Sequence, residues 1–145
     1  MEEQKKSHTT IVLIAEDDAT DRGLLRHAWS VSDFDLRLLF VFDGAEVIAY
    51  LTGEGMFRDR TQYPLPEVLV LDLKMPRVDG LQVMHWLEGK PEFSRIELVI
   101  LTGIDEEEMV SEAKSMPARF WRKPDNPAMY GEFLESLGKL ASNLD

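Results

Sequence analysis

Cysteine is absent from these 145 residues, which excludes a disulfide framework, a cysteine-based zinc site and a thiol nucleophile. The composition fits a reducing cytoplasm, and a cytoplasmic chain is expected. Also missing is any run near the roughly 20 apolar residues that a membrane-crossing helix needs. Residues 1–10 are polar and charged, without the apolar centre of a secretory signal. No membrane association and no processing are expected. Basic clusters are lacking too: 16 Lys and Arg stand against 27 Asp and Glu, a formal charge of -11. That balance opposes a phosphate backbone, because counterion release rewards clustered cations, so direct nucleic-acid binding is not expected. The acidity reads as a solvated surface. His8, His27 and His85 show neither metal-ligand spacing nor a Ser or Asp partner. No repeat, low-complexity tract or Pro/Gly/Ser-rich linker divides the chain. The expected organisation is a polar tail over residues 1–10 and one domain over 11–145, with no output domain after it.

What is present is 44% hydrophobic content, enough for one ordinary core. Three apolar runs, residues 11–15, 68–72 and 98–102, are continuous rather than alternating, the pattern of parallel strands buried on both faces. Two further runs, 36–41 and 118–121, contain Arg and predict outer strands. Between the runs, apolar residues recur at helical spacing: Leu24, Leu25, Ala28 and Trp29; Val47, Ile48 and Leu51; Val83, Met84 and Leu87. A fourth helix is predicted over 105–116, opened by acids suited to a helix dipole. A fifth carries the stripe Met129, Phe133, Leu137, Leu140 and Leu144, core-facing but long enough to leave apolar surface for a homodimer. Five βα units imply an α/β fold with a parallel, doubly wound sheet and helices on both faces. The ligand site in such sheets lies at the carboxyl ends of the strands. The connection 53–67 is unusually long, and its Gly and Pro content argues against regular structure throughout.

Four polar motifs fall at those strand ends. Glu16, Asp17 and Asp18 follow the first strand, Asp72 ends the third, Thr102 the fourth, and Lys123 with Pro124 follows the fifth. Carboxylates gathered at one edge repel unless a cation joins them, and hard oxygen donors suit Mg2+ with retained waters. With a lysine and a hydroxyl added, the set can stabilise a phosphoryl group in transfer, Asp72 attacking as the nucleophile. Taken singly, each motif has an ordinary reading: Asp72 or Thr102 with Gly103 as a strand end before a turn, Lys123 as a surface lysine, Asp79 as a helix cap.

Glu16-Asp17-Asp18, residues 71–80 (LDLKMPRVDG), Leu101-Thr102-Gly103 and Arg122-Lys123-Pro124 together resemble, in order and spacing, the signature of response-regulator receiver domains. The resemblance spans residues 11 to about 142. It implies a flavodoxin-like strand order 2-1-3-4-5, with Asp72 as phosphoacceptor and Mg2+ held by Asp17, Asp72 and the backbone carbonyl of Lys74, with Glu16 acting through water. It also implies that Thr102 bonds a phosphoryl oxygen and Lys123 pairs with the group. Pro124, preceded by a cis bond in many relatives, would help fix the lysine. Phe120 holds the aromatic switch position, where movement of Thr102 lets the ring turn inward and repacks the surface. The implied partners are a sensor histidine kinase or phosphotransfer protein and a downstream protein target. The 53–67 connection is similar to that of regulators paired with phytochromes.

Glu16 stands where Asp is more frequent, and Gly103 follows Thr102 where a small side chain is usual, so water should reach the site more easily and shorten the phosphorylated state. Two other functions compete. A haloacid-dehalogenase-type phosphatase needs a second acid two residues after its nucleophile, and Lys74 stands there. A phosphorylation-independent adaptor with this fold has often lost an acid, the Thr or the Lys, and here every position is filled.

Overall fold

A computed structural model describes residues 9–103 and 107–144. Its five strands are β1 (Thr10–Ala15), β2 (Leu36–Val41), β3 (Val68–Leu71), β4 (Glu97–Thr102) and β5 (Arg119–Arg122), all parallel, in the order β2-β1-β3-β4-β5. The two Arg-containing runs are the sheet edges, as their interrupted patterns predict, although β5 starts one residue later than expected and β1 one earlier, at the buried Thr10. The helices are α1 (Ala19–Ser30), α2 (Gly44–Thr52), α3 (Gly80–Glu88), α4 (Glu107–Lys114) and α5 (Tyr130–Ser142). The predicted start of the fourth helix, residues 105 and 106, lies outside the described residues.

The continuous apolar runs are explained by the two layers. Along β1, Val12 and Ile14 turn to one face, where Leu25 and Ala28 of α1 and Phe133, Leu134 and Leu137 of α5 cover them. Leu13 and Ala15 turn to the other, under Val47, Tyr50 and Leu51 of α2, Val83 and Met84 of α3 and Ala113 of α4. A strand whose neighbours lie above and below has no solvent face, so neither parity can be polar. The α5 stripe is displaced from the expected one. Met129 sits in the 3-10 turn before the helix and is exposed, while Tyr130 and Leu134 join the buried face.

The 53–67 connection is packed rather than loose. A 3-10 turn at Gly55–Phe57 inserts Phe57 beside Tyr50 and Tyr63, with ring centroids 5.1 and 5.3 Å away. The Arg60 guanidinium donates to the Leu51 and Tyr63 carbonyls, and the Tyr50 hydroxyl donates to Pro64 O at 2.8 Å. Burial pushes that phenol up to about 12, so it stays a donor at neutral pH. Gly53, at φ 73, supplies the left-handed residue that ends α2.

Candidate functional site

The chain reverses its direction of sheet growth between β1 and β3, and the crevice beyond their carboxyl ends is where doubly wound sheets bind ligands. Every strand-end motif arrives there. Asp18 caps α1, its Oδ1 accepting from the Thr20 and Asp21 amides, which fixes the turn that carries Glu16 and Asp17. Glu16 is 2% exposed, and its Oε2 accepts from the Asp18 amide at 3.0 Å. Asp72 follows β3 and is nearly as buried. Its Oδ1 accepts from the Thr102 hydroxyl at 2.9 Å and its Oδ2 from Lys123 Nζ at 2.8 Å. The lysine also meets Glu16 Oε1 at 2.7 Å and Asp21 Oδ2 at 3.1 Å.

The loop after Asp72 is held from several sides. The Lys74 amide approaches Asp72 Oδ1 at 3.3 Å, and the Gly80 amide donates to Leu73 O at 2.9 Å. A side chain at Gly80 would overlap the Asp72 carbonyl, so glycine is required where α3 starts against the site. Asp79 caps α3 in a reciprocal capping box with Gln82. Arg77, at φ 66, is the one non-glycine residue with positive φ among those described, and its Nε donates to Asp43 Oδ2 at 2.7 Å. Burial would raise the Asp43 carboxyl, but the Arg77 contact and the Glu46 amide hold it below its usual value. This pair ties the loop to the start of α2.

Burial pushes the Glu16 carboxyl up, to about 7, against the opposing pull of Lys123. Burial also disfavours the Lys123 ammonium, yet its contacts with Asp72 and Glu16 outweigh that and raise its pKa, so it is charged throughout the physiological range. Glu16, Asp17 and Asp72 each bring one carboxylate oxygen within 4.8 Å of the others. An all-oxygen set with one exposed member fits a hard divalent cation that keeps water ligands. Magnesium is such a cation, and the donors present are of the right chemistry for it.

Of the residues singled out from sequence, Glu16, Asp17, Asp72, Thr102 and Lys123 come together, with Lys74 in the adjoining loop. Phe120 lies on β5, half-buried, with the Lys114 ammonium 5.9 Å from its ring centre on the α4 side. No cis peptide occurs among the described residues, so the bond before Pro124 is trans. The lysine is instead placed by its backbone amide, which donates to Thr102 O at 2.9 Å, and by its three carboxylate partners. Sequence reading missed Asp21 and Tyr130, whose hydroxyl donates to Asp21 Oδ1 at 2.9 Å. Asp21 lies three residues after the cap at Asp18, about one helical turn on, a spacing that could have pointed to it. Tyr130 carried no signal.

Residues 12–127 match the family described as response regulator receiver domain. Response regulator Rcp1 of Synechocystis sp. is 30% identical over 92 residues, which make up 63% of this chain and 60% of that protein. The chain therefore spans less than two thirds of that curated relative. A response regulator in red light signaling of R. palustris superposes with a TM-score of 0.79 at 32% identity, covering 88% of this chain and 90% of the other. The phosphorylated cyanobacterial phytochrome response regulator RcpA gives a TM-score of 0.83 at 23% identity over 94% of this chain and 97% of the other, a likeness of fold. Among the described residues no helix is long and apolar enough to cross a membrane.

Proposed function

The chain belongs to the response regulator receiver domain family, and from that membership we propose that it is a phosphorylation-driven signalling switch whose phosphoacceptor is Asp72. The observation that carries this reading is the three-sided setting of one buried carboxylate: Thr102 on one oxygen, Lys123 on the other, and Glu16 and Asp17 beside it. A carboxylate oxygen of Asp72 attacks phosphorus of a phosphohistidine. The P–N bond breaks, the imidazole nitrogen leaves with the electron pair, and Asp72 becomes an acyl phosphate.

Lys123 offsets charge on the equatorial oxygens and Thr102 donates a hydrogen bond to one of them. Glu16, Asp17, Asp72 and the Lys74 carbonyl would hold Mg2+, which when bound supplies charge neutralisation for the transferring group. Departure of the Thr102 hydroxyl from Asp72 toward the phosphoryl oxygen opens room beside Phe120, and the ring's inward turn alters the surface formed by α4, β5 and α5. The chain thus catalyses only its own phosphorylation and dephosphorylation.

The donor is a sensor histidine kinase or phosphotransfer protein. Similarity to the red-light regulator of R. palustris and to Rcp1 supports a phytochrome-type kinase, and the output is an altered set of protein contacts. The complete set of acid, hydroxyl and lysine supports a switch over a phosphorylation-independent adaptor, and Lys74 in place of an acid argues against a phosphatase. Incubation with acetyl phosphate and Mg2+, followed by intact mass, tests the reading. One phosphoryl adduct is expected in wild type and none in Asp72→Asn; folded wild-type protein that gains no adduct refutes it.

A further inference from the structure

Lys123 has a third carboxylate that the phosphoacceptor scheme does not use. Its ammonium has three protons and three acceptors: Glu16 Oε1, Asp72 Oδ2 and Asp21 Oδ2. The first two belong to the acidic site. Asp21 stands on α1 and is held from behind, its second oxygen accepting from the hydroxyl of Tyr130, the first residue of α5 and only 2% exposed.

We propose that Asp21 is a positioning residue for Lys123, with Tyr130 fixing Asp21 in turn. The inference rests on the phosphoacceptor reading of Asp72. A lysine side chain has four rotatable bonds and no geometric preference at its tip, so an ammonium that must meet a phosphoryl group gains from a fixed acceptor outside the reacting atoms. Asp21 meets that need because its two oxygens face different donors, Lys123 on one side and the buried phenol on the other. When Asp72 becomes an acyl phosphate, the proton given to its Oδ2 turns to a phosphoryl oxygen. Asp21 then remains as the contact about which the ammonium turns. Burial and the Asp21 contact raise the Tyr130 phenol above its ordinary range, so this donor keeps its proton at neutral pH.

A plain structural tie between α1 and α5 would involve the same residues, so the test must report on Lys123 itself. In unphosphorylated full-length protein labelled at lysine, the Lys123 Cε and Nζ resonances, assigned by their loss in Lys123→Met, should move toward those of a free lysine in Asp21→Ala. Asn at this position can still accept from Lys123 while its NH2 meets the Tyr130 oxygen, so Asp21→Asn should retain the dispersed signal. With acetyl phosphate and Mg2+, Asp21→Ala should slow adduct formation about tenfold at saturating donor and Asp21→Asn by less than about threefold, with Mg2+ affinity by titration calorimetry unchanged within about twofold. Tyr130→Phe, which loses one hydroxyl and keeps the core filled, should act in the same direction by about threefold.

In a Lys123→Met background the Asp21→Ala effect should vanish. An equal deficit there, or a Lys123 resonance that ignores Asp21→Ala, overturns the positioning role while leaving Asp72 as phosphoacceptor. Failure of wild type to form any adduct overturns the phosphoacceptor reading and this role with it.

Discussion

Lys123 and His85 each place a basic nitrogen group between carboxylates from separate elements, yet the two clusters differ in almost everything that follows from burial. The Lys123 side chain is 17% exposed among Glu16 and Asp72 at 2% and 7%, whereas His85 is 47% exposed between Glu88 and Glu112, both more than half exposed. The His85 contacts cover much the same range of distance, with Nε2 2.6 Å from Glu112 and Nδ1 3.2 Å from Glu88, against 2.7 to 3.1 Å around Lys123. Distance therefore does not separate the two clusters. Water does: it screens the His85 contacts to the scale of a surface clip between α3 and α4, while the Lys123 group interacts through protein and depends on mutual compensation.

The largest break in this contrast should come from Lys123→Met. Removing the cation leaves buried acids uncompensated and should cost on the order of 3 kcal/mol without metal. Added Mg2+ should recover part of that loss by supplying positive charge to the same carboxylates. Urea unfolding with and without Mg2+ reads the difference, and an unchanged midpoint would mean that the cluster is as screened as the surface one. Phosphoryl incorporation should fall in the same variant.

Backbone fit gives the next contrast. Gly80→Ala would press a methyl group into the Asp72 carbonyl and should cost about 1–3 kcal/mol. Gly89→Ala, at the outer end of α3 near the His85 clip, meets nothing closer than ordinary contact with Trp86 O at 4.0 Å and should leave stability within about 0.5 kcal/mol of wild type. Equal denaturation midpoints for the two variants would contradict the tight approach at the site.

Gly103→Ala asks how far water reaches the buried cluster. The added carbon would sit 3.6 Å from Lys123 Cδ, an ordinary contact, so the variant should fold and lengthen the half-life of the phosphorylated state about threefold by shielding it. Intact mass after removal of the donor follows the decay; an unchanged half-life removes access at this position as a control of lifetime.

The smallest effect belongs to His85. Its hydrogen bonds to Glu112 and Glu88 raise its pKa above the usual 6.5, so folding favours the protonated ring. That contribution is fully present below about 6.5, the unfolded value, and is lost as pH rises through the higher folded value. His85→Gln should therefore lower the melting temperature slightly at pH 6 and leave it unchanged well above the raised pKa. A decrement that grows with pH would reverse the assigned sign.

Much of the fold and the grouping of the candidate site's residues was legible because both follow from one-dimensional pattern. A parallel strand covered on both faces must be apolar along its covered length, and residues 11–15, 68–71 and 98–101 say so directly. Each strand then delivers its next residues to the same edge, so Glu16, Asp72, Thr102 and Lys123 could be grouped by their place after the runs. What escaped had no local pattern. Tyr130 and Asp21 are 109 positions apart, and Met129 looked like the first member of the α5 stripe until the 3-10 turn rotated it to the surface. The 53–67 connection, rich in turn residues, proved ordered because Tyr50, Phe57 and Tyr63 pack on one another, an irregularly spaced trio that fits neither helical nor strand periodicity.

By itself, then, the sequence determined the layered βα architecture, its two edge strands and the identities of the groups at the strand ends, since burial parity and strand polarity act residue by residue. Only the tertiary structure decided how those charges are shared: that Lys123 answers three carboxylates rather than one, that its Pro124 bond is trans, and that an aspartate on α1 backed by a tyrosine on α5 completes its surroundings. Electrostatic pairing depends on distance and burial in three dimensions, and neither is written in the order of residues.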